Sequence, residues 1–466
     1  MNYNFARQTY THMTPPTASS WTYDLKRASP DILRTFSLMF HDPQSDELQS
    51  LLKKCNLTNK KWKSGPNVYS ILKYATGTLK CDELQTLGLL RSVVLDVNGK
   101  ILAYSPPKCV DPSPLTGRFS DDHIIVEEFV EGTMINVFYH RPNGQDEGAE
   151  WEMATKSCVG ANIVFHSVQP SLAKAEPAKP AEPAKPAEPT EPTEPTEPTE
   201  PKKTFRRMFL ECMNEAKLNF DALQKDCSYS FVMQHPNNHI VRDIATPTLY
   251  LIAVYKIDNE ALTVEEQCRN EHLDRINAST NQCTSVRLPL QYDCIGLSEL
   301  REIYTSLNAP YDFPGLVCRQ RSTGERFKFR NPNYERIKNL HGNEPKLQFQ
   351  YLSLRQQGKV KEYLKLHPEH AVAFQKFRDQ MHAYTNQLFA NYIGCHVKKE
   401  RPFAEYPAEF KTHIFRLHER YLNELREKKE HITLGQTIAY VNGLPPSHQI
   451  YALNYGVRKA CEKSCL

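Results

Sequence analysis

The sequence predicts an α+β protein with an antiparallel-sheet core followed by an all-α C-terminal domain. Apolar and polar residues alternate through much of the first two thirds of the chain, which is typical of half-buried strands. From about residue 345 onward, apolar residues recur at helical spacing with little β-branching. The expected organisation is a mixed-helical N-terminal region over 1–65, a core over 66–340 and a helical, basic domain over 345–466.

Local signals place individual elements in the core. LRSVVLDVNGKILAYSPPK contains two alternating runs around Asn98-Gly99, a strong hairpin signal, and FPGLVCRQRSTGERFKFRNPNY predicts a second hairpin turning at 322–324. SYSFVMQHPNNHIV and TLYLIAVYKID read as strands. FRRMFLECMNEAKLNFDALQ and GLSELREIYTSLN have helical spacing.

A proline-rich array interrupts the core at 170–203, with AKPAEP units followed by TEP units. Proline at every third position removes backbone donors and favours extended polyproline II structure. The array therefore predicts a disordered, semi-rigid spacer. Because strand-like sequence lies on both sides, we expect it to be a loop insertion, which costs a domain little stability.

Charge is distributed unevenly along the 466 residues. The net charge is +4, but the segment from Asn331 to the end has 21 Lys and Arg against 13 Asp and Glu, a balance of +8, which leaves −4 for the remainder. A segregated basic region suits a phosphate backbone. The alternative is a solvated, lysine-rich helical surface.

Several classes of protein and site are not expected. No apolar run is long enough to cross a membrane, and MNYNFARQTYTHM has no apolar stretch typical of a secretory signal. The 13 cysteines are scattered, which favours free thiols in a reducing compartment. His235 and His239 lie four apart on a predicted strand without a third ligand, so we expect no metal site.

Five short blocks carry a family resemblance through their order. They are RSVVLDVNGKILAYSPPK, FVEGTMINVFY, ATKSCVG, SYSFVMQHPNNHIV and FPGLVCRQRSTGERFKFRNPNY. Together they resemble the motifs of bacteriophage-type RNA ligases that reseal broken tRNA, members of the nucleotidyltransferase superfamily. The resemblance implies an ATP-grasp-like ligase core, a reaction that uses ATP with Mg²⁺, and RNA as the partner.

The resemblance also implies which groups the reaction would need. In such ligases a lysine amine attacks the α-phosphorus of ATP and forms a lysyl-AMP, while carboxylates hold metal. Here the lysine position is Phe129, and two carboxylate positions are Val232 and Pro314. No catalytic residue is therefore expected to be intact. Read without the resemblance, Phe129 and Val232 are core residues of alternating strands.

Other motif positions retain their chemistry. By resemblance, the residues expected to bind nucleotide or phosphate are Arg91, Glu131, Gly132, Lys156, Lys328 and Arg330. The second lysine of the last motif is replaced by Arg330, which keeps the charge but not the amine. The alternative interpretation places Glu131 at a turn, with Lys328 and Arg330 on the solvated face of a strand.

The expected function is thus a catalytically degenerate RNA ligase-like protein that binds RNA, with tRNA favoured by resemblance. One alternative is an active ligase whose nucleophile has moved to Lys156 or Lys108. Another is a structural adaptor associated with a virion or an RNA polymerase. The chain, array included, resembles a viral member of the class, which implies virion and infected-cell cytoplasm, viral protein partners and no membrane.

Overall fold

The computed structural model describes residues 21–75, 77–80, 83–109, 124–142, 147–164, 203–238, 240–279, 284–292, 296–342 and 346–464. The chain divides into two compact units. The first comprises residues up to Val164 together with Lys203–Lys338, and the second includes Asn339–Leu466.

The first unit contains fourteen strands among its described residues. In chain order they are β1 (Trp21–Asp24), β2 (Leu57–Ser64), β3 (Asn67–Tyr74), β4 (Val93–Leu95), β5 (Ile101–Tyr104), β6 (Ile124–Glu128), β7 (Thr133–His140), β8 (Glu150–Ala154), β9 (Cys227–Gln234), β10 (Thr248–Asp258), β11 (Thr263–Gln267), β12 (Gln291–Tyr292), β13 (Gly315–Gln320) and β14 (Arg326–Arg330).

These strands form three antiparallel sheets. The largest has the order β1-β11-β10-β9-β7-β8, the second β12-β6-β13-β14 and the third β2-β3-β4-β5. Helices accompany them: α1 (Ile32–His41), α2 (Asp46–Lys54), α3 (Phe205–Glu215), α4 (Arg269–Ser279), α5 (Leu297–Thr305) and α6 (Pro332–His341), which contains the division between the units.

Strand β9 lies at the centre of the largest sheet, between β10 and β7, and all eight of its residues are buried. The buried hydroxyl of Ser230 begins a chain of internal hydrogen bonds, whereas Ser228 Oγ has no hydrogen-bond partner among the described residues. Ser230 Oγ donates to Asn136 Oδ1 at 2.8 Å, and Asn136 Nδ2 donates to Ser105 Oγ at 2.6 Å. This chain of hydrogen bonds joins β9 and β7 to Ser105, the residue that follows β5. It satisfies the Asn136 amide, which would cost about 1–3 kcal/mol if it were buried without partners.

The second sheet is held by an apolar cluster on one face. Phe327 and Phe329 of β14 pack there with Leu316 of β13 and Leu300 of α5. Because side chains alternate along a strand, the intervening residues of β14 lie on the opposite face.

The second unit is helical throughout its described residues. Its helices are α7 (Leu347–Gln356), α8 (Val360–Leu366), α9 (Ala371–Tyr392), α10 (Ala408–Arg420), α11 (Leu434–Gly443), α12 (Pro446–Leu453) and α13 (Tyr455–Ser464). α9 and α10 form the centre of the core, where Met381 and Leu388 of α9 and Ile414 and Leu417 of α10 are fully or almost fully buried.

The predicted fold class, an α+β sheet core with a helical C-terminal region, is confirmed. The hairpins expected at Asn98-Gly99 and 322–324 are β4-β5 and β13-β14. The described part of 1–65 contains β1, β2, α1 and α2 and belongs to the first unit. The proline array falls outside the described residues, apart from its end at Lys203. No helix in the described ranges is long and apolar enough to cross a membrane.

Gly315 opens β13 with φ +123°, where a Cβ atom would clash with the carbonyl oxygen of Phe329. We expect Gly315→Ala to lower the free energy of unfolding by about 2–4 kcal/mol, because both backbone strain and overlap oppose a side chain there. Urea unfolding followed by circular dichroism measures the change.

The matched control is Gly88→Ala, because Gly88 has an ordinary φ and its added Cβ would meet Lys108 Cβ at 3.5 Å, a normal contact. We expect it to change the stability by less than about 1 kcal/mol. Equal effects of the two substitutions would contradict the special role of Gly315.

Candidate phosphate-binding site

Strand β14 places three cations on one face. With Phe327 and Phe329 turned into the apolar cluster, Arg326, Lys328 and Arg330 face the other way. Arg326 is only 6% exposed, Lys328 is half-buried and Arg330 is exposed. The strand thus presents a gradient of burial to any anion that approaches it.

Phe129 lies directly against this row of cations. Its backbone N–H donates to the carbonyl of Gly315 at 3.0 Å, which fixes it beside β13. The Nζ atom of Lys328 lies 3.5 Å from the centroid of the Phe129 ring. An aromatic ring therefore stands next to the last-motif lysine and stabilises its ammonium by a cation–π contact without offering a nucleophile.

The ammonium of Lys328 is nevertheless destabilised by its surroundings. Burial is the largest cause that lowers the pKa of Lys328 to about 7, and the charges of Arg91, Arg326 and Arg330 lower it further, although the nearby Cys109 opposes the change. The amine is thus both withdrawn from water and surrounded by other cations.

Arg91 and Lys156 belong to the same cluster. Arg91 Nη1 donates to the carbonyl of Pro106 at 3.4 Å, and burial lowers the pKa of its guanidinium. Lys156 Nζ lies 5.4 Å from the Tyr74 ring centroid, and burial followed by the charge of Arg91 lowers its pKa to about 8. Three of the predicted phosphate-binding residues, Arg91, Lys156 and Lys328, are thus brought together through Arg91.

Arg330 is the partly neutralised member of the set. Its Nη1 lies 3.0 Å from Glu335 Oε1, and the side chain is 46% exposed. Its charge still contributes to the lowered pKa of both Lys328 and Lys108. Glu335 is 22% exposed and its Oε1 also lies 3.2 Å from Lys338 Nζ, so one carboxylate is shared between two cations.

Two residues of the cluster have no counterpart in the sequence-based site. Arg326 lies two positions before Lys328, and strand periodicity could have identified it. Cys109 has no such signal. Burial alone would raise the pKa of its thiol, but Lys328, Arg326 and Arg91 lower it overall.

Glu131, in contrast, is engaged as a structural anion. Its carboxylate is 3% exposed and accepts backbone N–H groups from Ile240, Val241 and Arg242 at 3.1–3.2 Å. Charge-assisted bonds of this kind are strong. These contacts favour a structural role for Glu131 over the predicted role in nucleotide binding, because its oxygens accept hydrogen bonds from the backbone of the segment after β9.

Gly132, the next predicted residue, is required by the backbone. It has φ +144°, and an added Cβ would clash with the carbonyl oxygen of Met233. The close approach of β7 to β9 explains this glycine without any ligand.

Other carboxylates on the cationic side are paired. Glu127 of β6 forms an ion pair with Arg269, and Glu266 of β11 accepts hydrogen bonds from Arg319 at 2.5 Å and from the Tyr23 hydroxyl at 3.0 Å. Each carboxylate is thus matched to an arginine of its own. Neither neutralises the excess charge around Lys328.

The two positions at which the sequence resemblance expects a carboxylate hold apolar residues. Val232 is 6% exposed and packs with Val130, Tyr250 and Ile252. Pro314 is buried, and its carbonyl accepts the backbone N–H of Asn331 at 3.2 Å. Across the described ranges, no three His, Cys, Asp or Glu side chains come together as a metal site.

The expected placement of His235 on a strand is wrong. β9 ends at Gln234, because Pro236 cannot donate to the sheet, and a 3₁₀ turn follows. His235 Nε2 lies 3.0 Å from Glu211 Oε2, and its Nδ1 accepts the backbone N–H of Asn237 at 3.0 Å. His239 falls outside the described residues.

Comparison with known proteins gives structural likenesses only. No family model and no curated protein matches the sequence. A mutant Naegleria gruberi RNA ligase with ATP and Mn is 11% identical with a TM-score of 0.30, covering 49% of this chain and 55% of its own.

Two further solved structures are each 12% identical with TM-scores of 0.35. A putative ATP-dependent DNA ligase from Aquifex aeolicus covers 82% of this chain and 81% of its own, and an archaeal ATP-dependent RNA ligase covers 90% and 79%. At these identities and scores the likenesses carry no argument about chemistry, which depends on the residues themselves.

The lowered pKa of Lys328 predicts a pH-dependent stability. The unfolded chain binds this proton up to about pH 10.4 and the folded chain only to about pH 7, so folding releases it and stability rises with pH between these values.

We expect Lys328→Met to flatten the rise in the free energy of unfolding between about pH 7 and pH 9, as measured by urea unfolding. The control Lys61→Met, at an exposed position of β2, should leave it unchanged. Equal slopes in all three proteins would contradict the assignment.

Proposed function

We propose that this chain is an RNA ligase-like protein that binds RNA through its phosphates and does not seal strands. The observation that carries the proposal is the cationic cluster around Arg91 and Lys328, with the Phe129 ring in the place of the nucleophile. Arg91 and Lys328 provide the positive charge that would bind a phosphate. The lysine and the two carboxylates that nucleotidyl transfer would need are replaced by Phe129, Val232 and Pro314.

Phosphate is the anion class that this cluster suits best. Arg91 offers a planar donor set for phosphate oxygens, and Lys156 and Lys328 offer point charges. All three are at least half-buried, so an anion that enters loses little attraction to solvent screening. Its charge would restore the protonated form of Lys328, and binding would therefore take up a proton near neutral pH.

The proposed loss of sealing rests on three positions. Phe129 has no amine to attack phosphorus, and Val232 and Pro314 have no oxygen to hold a metal. The neighbouring acid, Glu131, uses its oxygens on backbone N–H groups. No one substitution would restore all of these groups.

ATP and Mg²⁺ fit the described residues unequally. Arg91, Lys156 and Lys328 would accept the phosphates of a nucleotide. Mg²⁺ prefers carboxylate and water oxygens, and the carboxylates of Glu127, Glu131 and Glu266 are already bonded. We therefore propose phosphate binding without a resident metal.

RNA is favoured over a free nucleotide by the basic balance of the C-terminal region, +8 from Asn331 onward. In the second unit, the guanidinium of Arg458 stacks 3.4 Å from the Tyr451 ring centroid, and this tyrosine is 61% exposed. Aromatic and arginine planes of this kind accept stacked bases. tRNA remains the preferred candidate through the sequence resemblance.

Binding of tRNA should weaken steeply with salt, because counterions are released from each neutralised phosphate. We expect Lys328→Met to weaken binding about tenfold at pH 7, and the affinity of the unsubstituted protein to fall as pH rises past 7 and Lys328 loses its proton. Fluorescence anisotropy with labelled tRNA measures both. Lys61→Met is the control, and affinity independent of salt and of Lys328 would overturn the proposal.

A second candidate, an active ligase with a relocated nucleophile, is favoured by one observation. The pKa of Lys156 is about 8, so a substantial fraction of its amine is unprotonated under mildly alkaline conditions. Lys108 has a lowered pKa as well, through burial and the charges of Arg330 and Arg91. Nucleophilic lysines need this property.

Incubation with α-labelled ATP and Mg²⁺ or Mn²⁺ decides between the two candidates. We expect no covalent protein–AMP adduct, because the described ranges contain no group of three His, Cys, Asp or Glu side chains that would hold the metal. An adduct that survives denaturing electrophoresis and disappears in Lys156→Met or Lys108→Met would establish the second candidate instead.

A further inference from the structure

A row of lysines leads away from the cationic cluster along the third sheet. This lysine row begins at Lys156 and continues through Lys73 of β3 to Lys60 of β2. Lys156 and Lys73 are half-buried, whereas Lys60 is exposed. Neither β2 nor β3 belongs to the five blocks that carry the sequence resemblance, so the resemblance assigns no role to Lys60 or Lys73.

Strand pairing places Lys60 and Lys73 on one face of the β2-β3 hairpin. Lys73 lies opposite Thr58, and Thr58 and Lys60 are two positions apart on the same face of β2. The two lysines are therefore diagonal neighbours, which in antiparallel pairs lie about 7–8 Å apart. Because side chains alternate along a strand, Lys61 and Lys63 lie on the opposite face of β2.

A fixed turn connects Lys73 to the cationic cluster. Lys73 Nζ donates to Ser157 Oγ at 2.6 Å, and Ser157 is the residue after Lys156. The turn is held at both residues, since the Thr155 hydroxyl accepts the backbone N–H of Ser157 at 3.3 Å and the Ser92 hydroxyl donates to the carbonyl of Lys156 at 3.1 Å. The row is thus built on ordered backbone along its length.

The charges of the row act on one another and on the cluster. Burial is the largest cause that lowers the pKa of Lys73, and the charge of Lys60 lowers it further. Burial is also the largest cause that lowers the pKa of Lys156, followed by the charges of Arg91 and Lys73. The lysine row is therefore electrostatically continuous with the cluster around Arg91.

Within the described residues, none of the three lysines forms an ion pair with a carboxylate. Lys60 Nζ lies 4.2 Å from the centroid of the Trp62 ring, and Lys73 Nζ is bonded to a serine hydroxyl. Lys156 Nζ lies over the Tyr74 ring. Aromatic rings and hydroxyls position an ammonium group without cancelling its charge.

Half-buried cations elsewhere in the first unit do have acidic partners. Lys203 Nζ lies 2.7 Å from Glu211 Oε2, and Arg206 Nη1 lies 2.5 Å from Glu152 Oε1. Because the lysine row has no such acid among the described residues, its charge is available to an anion from outside the chain. Three cations in succession are best matched by a polyanion with charges at regular intervals.

We propose that the lysine row binds the phosphate backbone of one RNA strand that extends from the cationic cluster past Lys73 to Lys60. A strand carries one negative charge per nucleotide, so successive phosphates can meet successive lysines. A positively charged groove that follows the backbone is how proteins hold single strands without reading their sequence. The inference rests on the proposed function, since the strand belongs to the RNA that the cluster binds.

Binding of labelled oligouridylates of about 4 and about 16 nucleotides, the range of lengths that single-strand grooves cover, tests the inference by fluorescence anisotropy. We expect Lys60→Met and Lys73→Met each to weaken binding of the longer strand about two- to fivefold, the effect of one partly exposed charge contact. The shorter strand, held at the cluster, should respond to Lys328→Met and not to Lys60→Met.

The salt dependence is a second readout, which a loss of stability alone would not change. For single strands, log K falls with log salt by about 0.7 per phosphate contact, so each substitution in the row should make the slope for the longer strand shallower by about 0.7. Lys61→Met and Lys63→Met are the matched controls, because they remove the same charge from the other face of β2. Equal effects of the substitutions on both faces would overturn the inference.

Lys328→Met separates this inference from the proposed function. If both strands bind in a way that depends on Lys328, while Lys60→Met and Lys73→Met behave like Lys61→Met, the lysine row is overturned and the proposed function stands. If neither oligouridylate nor tRNA binds at low salt, the proposed function fails and the inference fails with it. A glutamate oligomer of equal charge that competes as well as the longer oligouridylate would overturn RNA as the partner of the row.

Discussion

The burial of Phe327 and Phe329 is the constraint on which the site depends. Because β14 alternates, two aromatic side chains in the apolar cluster force Arg326, Lys328 and Arg330 onto one face. Burial of two phenylalanines stabilises the fold by several kcal/mol and fixes which face of β14 is turned to the core. The hydrophobic face of the strand therefore sets the position of its charged face.

The local balance of charge follows from this arrangement. Glu127 and Glu266 are each committed to an arginine, Arg269 and Arg319, and both ion pairs are buried. In the part of the chain that the structure describes, Arg330 pairs with the half-buried Glu335, and Lys328, Arg326 and Arg91 lower the pKa of the Cys109 thiol. Burial is the largest cause of the lowered pKa of Lys328 and of Lys156, and the charge of Arg91 lowers the pKa of both further. The same cations attract an anion.

Sequence periodicity was sufficient where local rules dominate. The alternation of RFKFR placed Lys328 and Arg330 on one face, and Asn98-Gly99 identified its hairpin. Periodicity did not predict contacts between segments that are distant in the sequence. Nothing in the sequence pairs Glu131 with the backbone at 240–242, and the five blocks do not include Cys109. The alternating pattern predicts a strand that continues through His235, but Pro236 ends the pairing and a 3₁₀ turn follows.

The Glu131 contact limits what single substitutions near Phe129 can introduce. Its carboxylate accepts backbone N–H groups of the segment after β9, so its removal would leave those donors without this acceptor whether or not any ligand is bound. An amine introduced by Phe129→Lys would find the oxygens of Glu131 already bonded to the backbone. The folding role of this acid therefore makes it a poor starting point for new chemistry at the site.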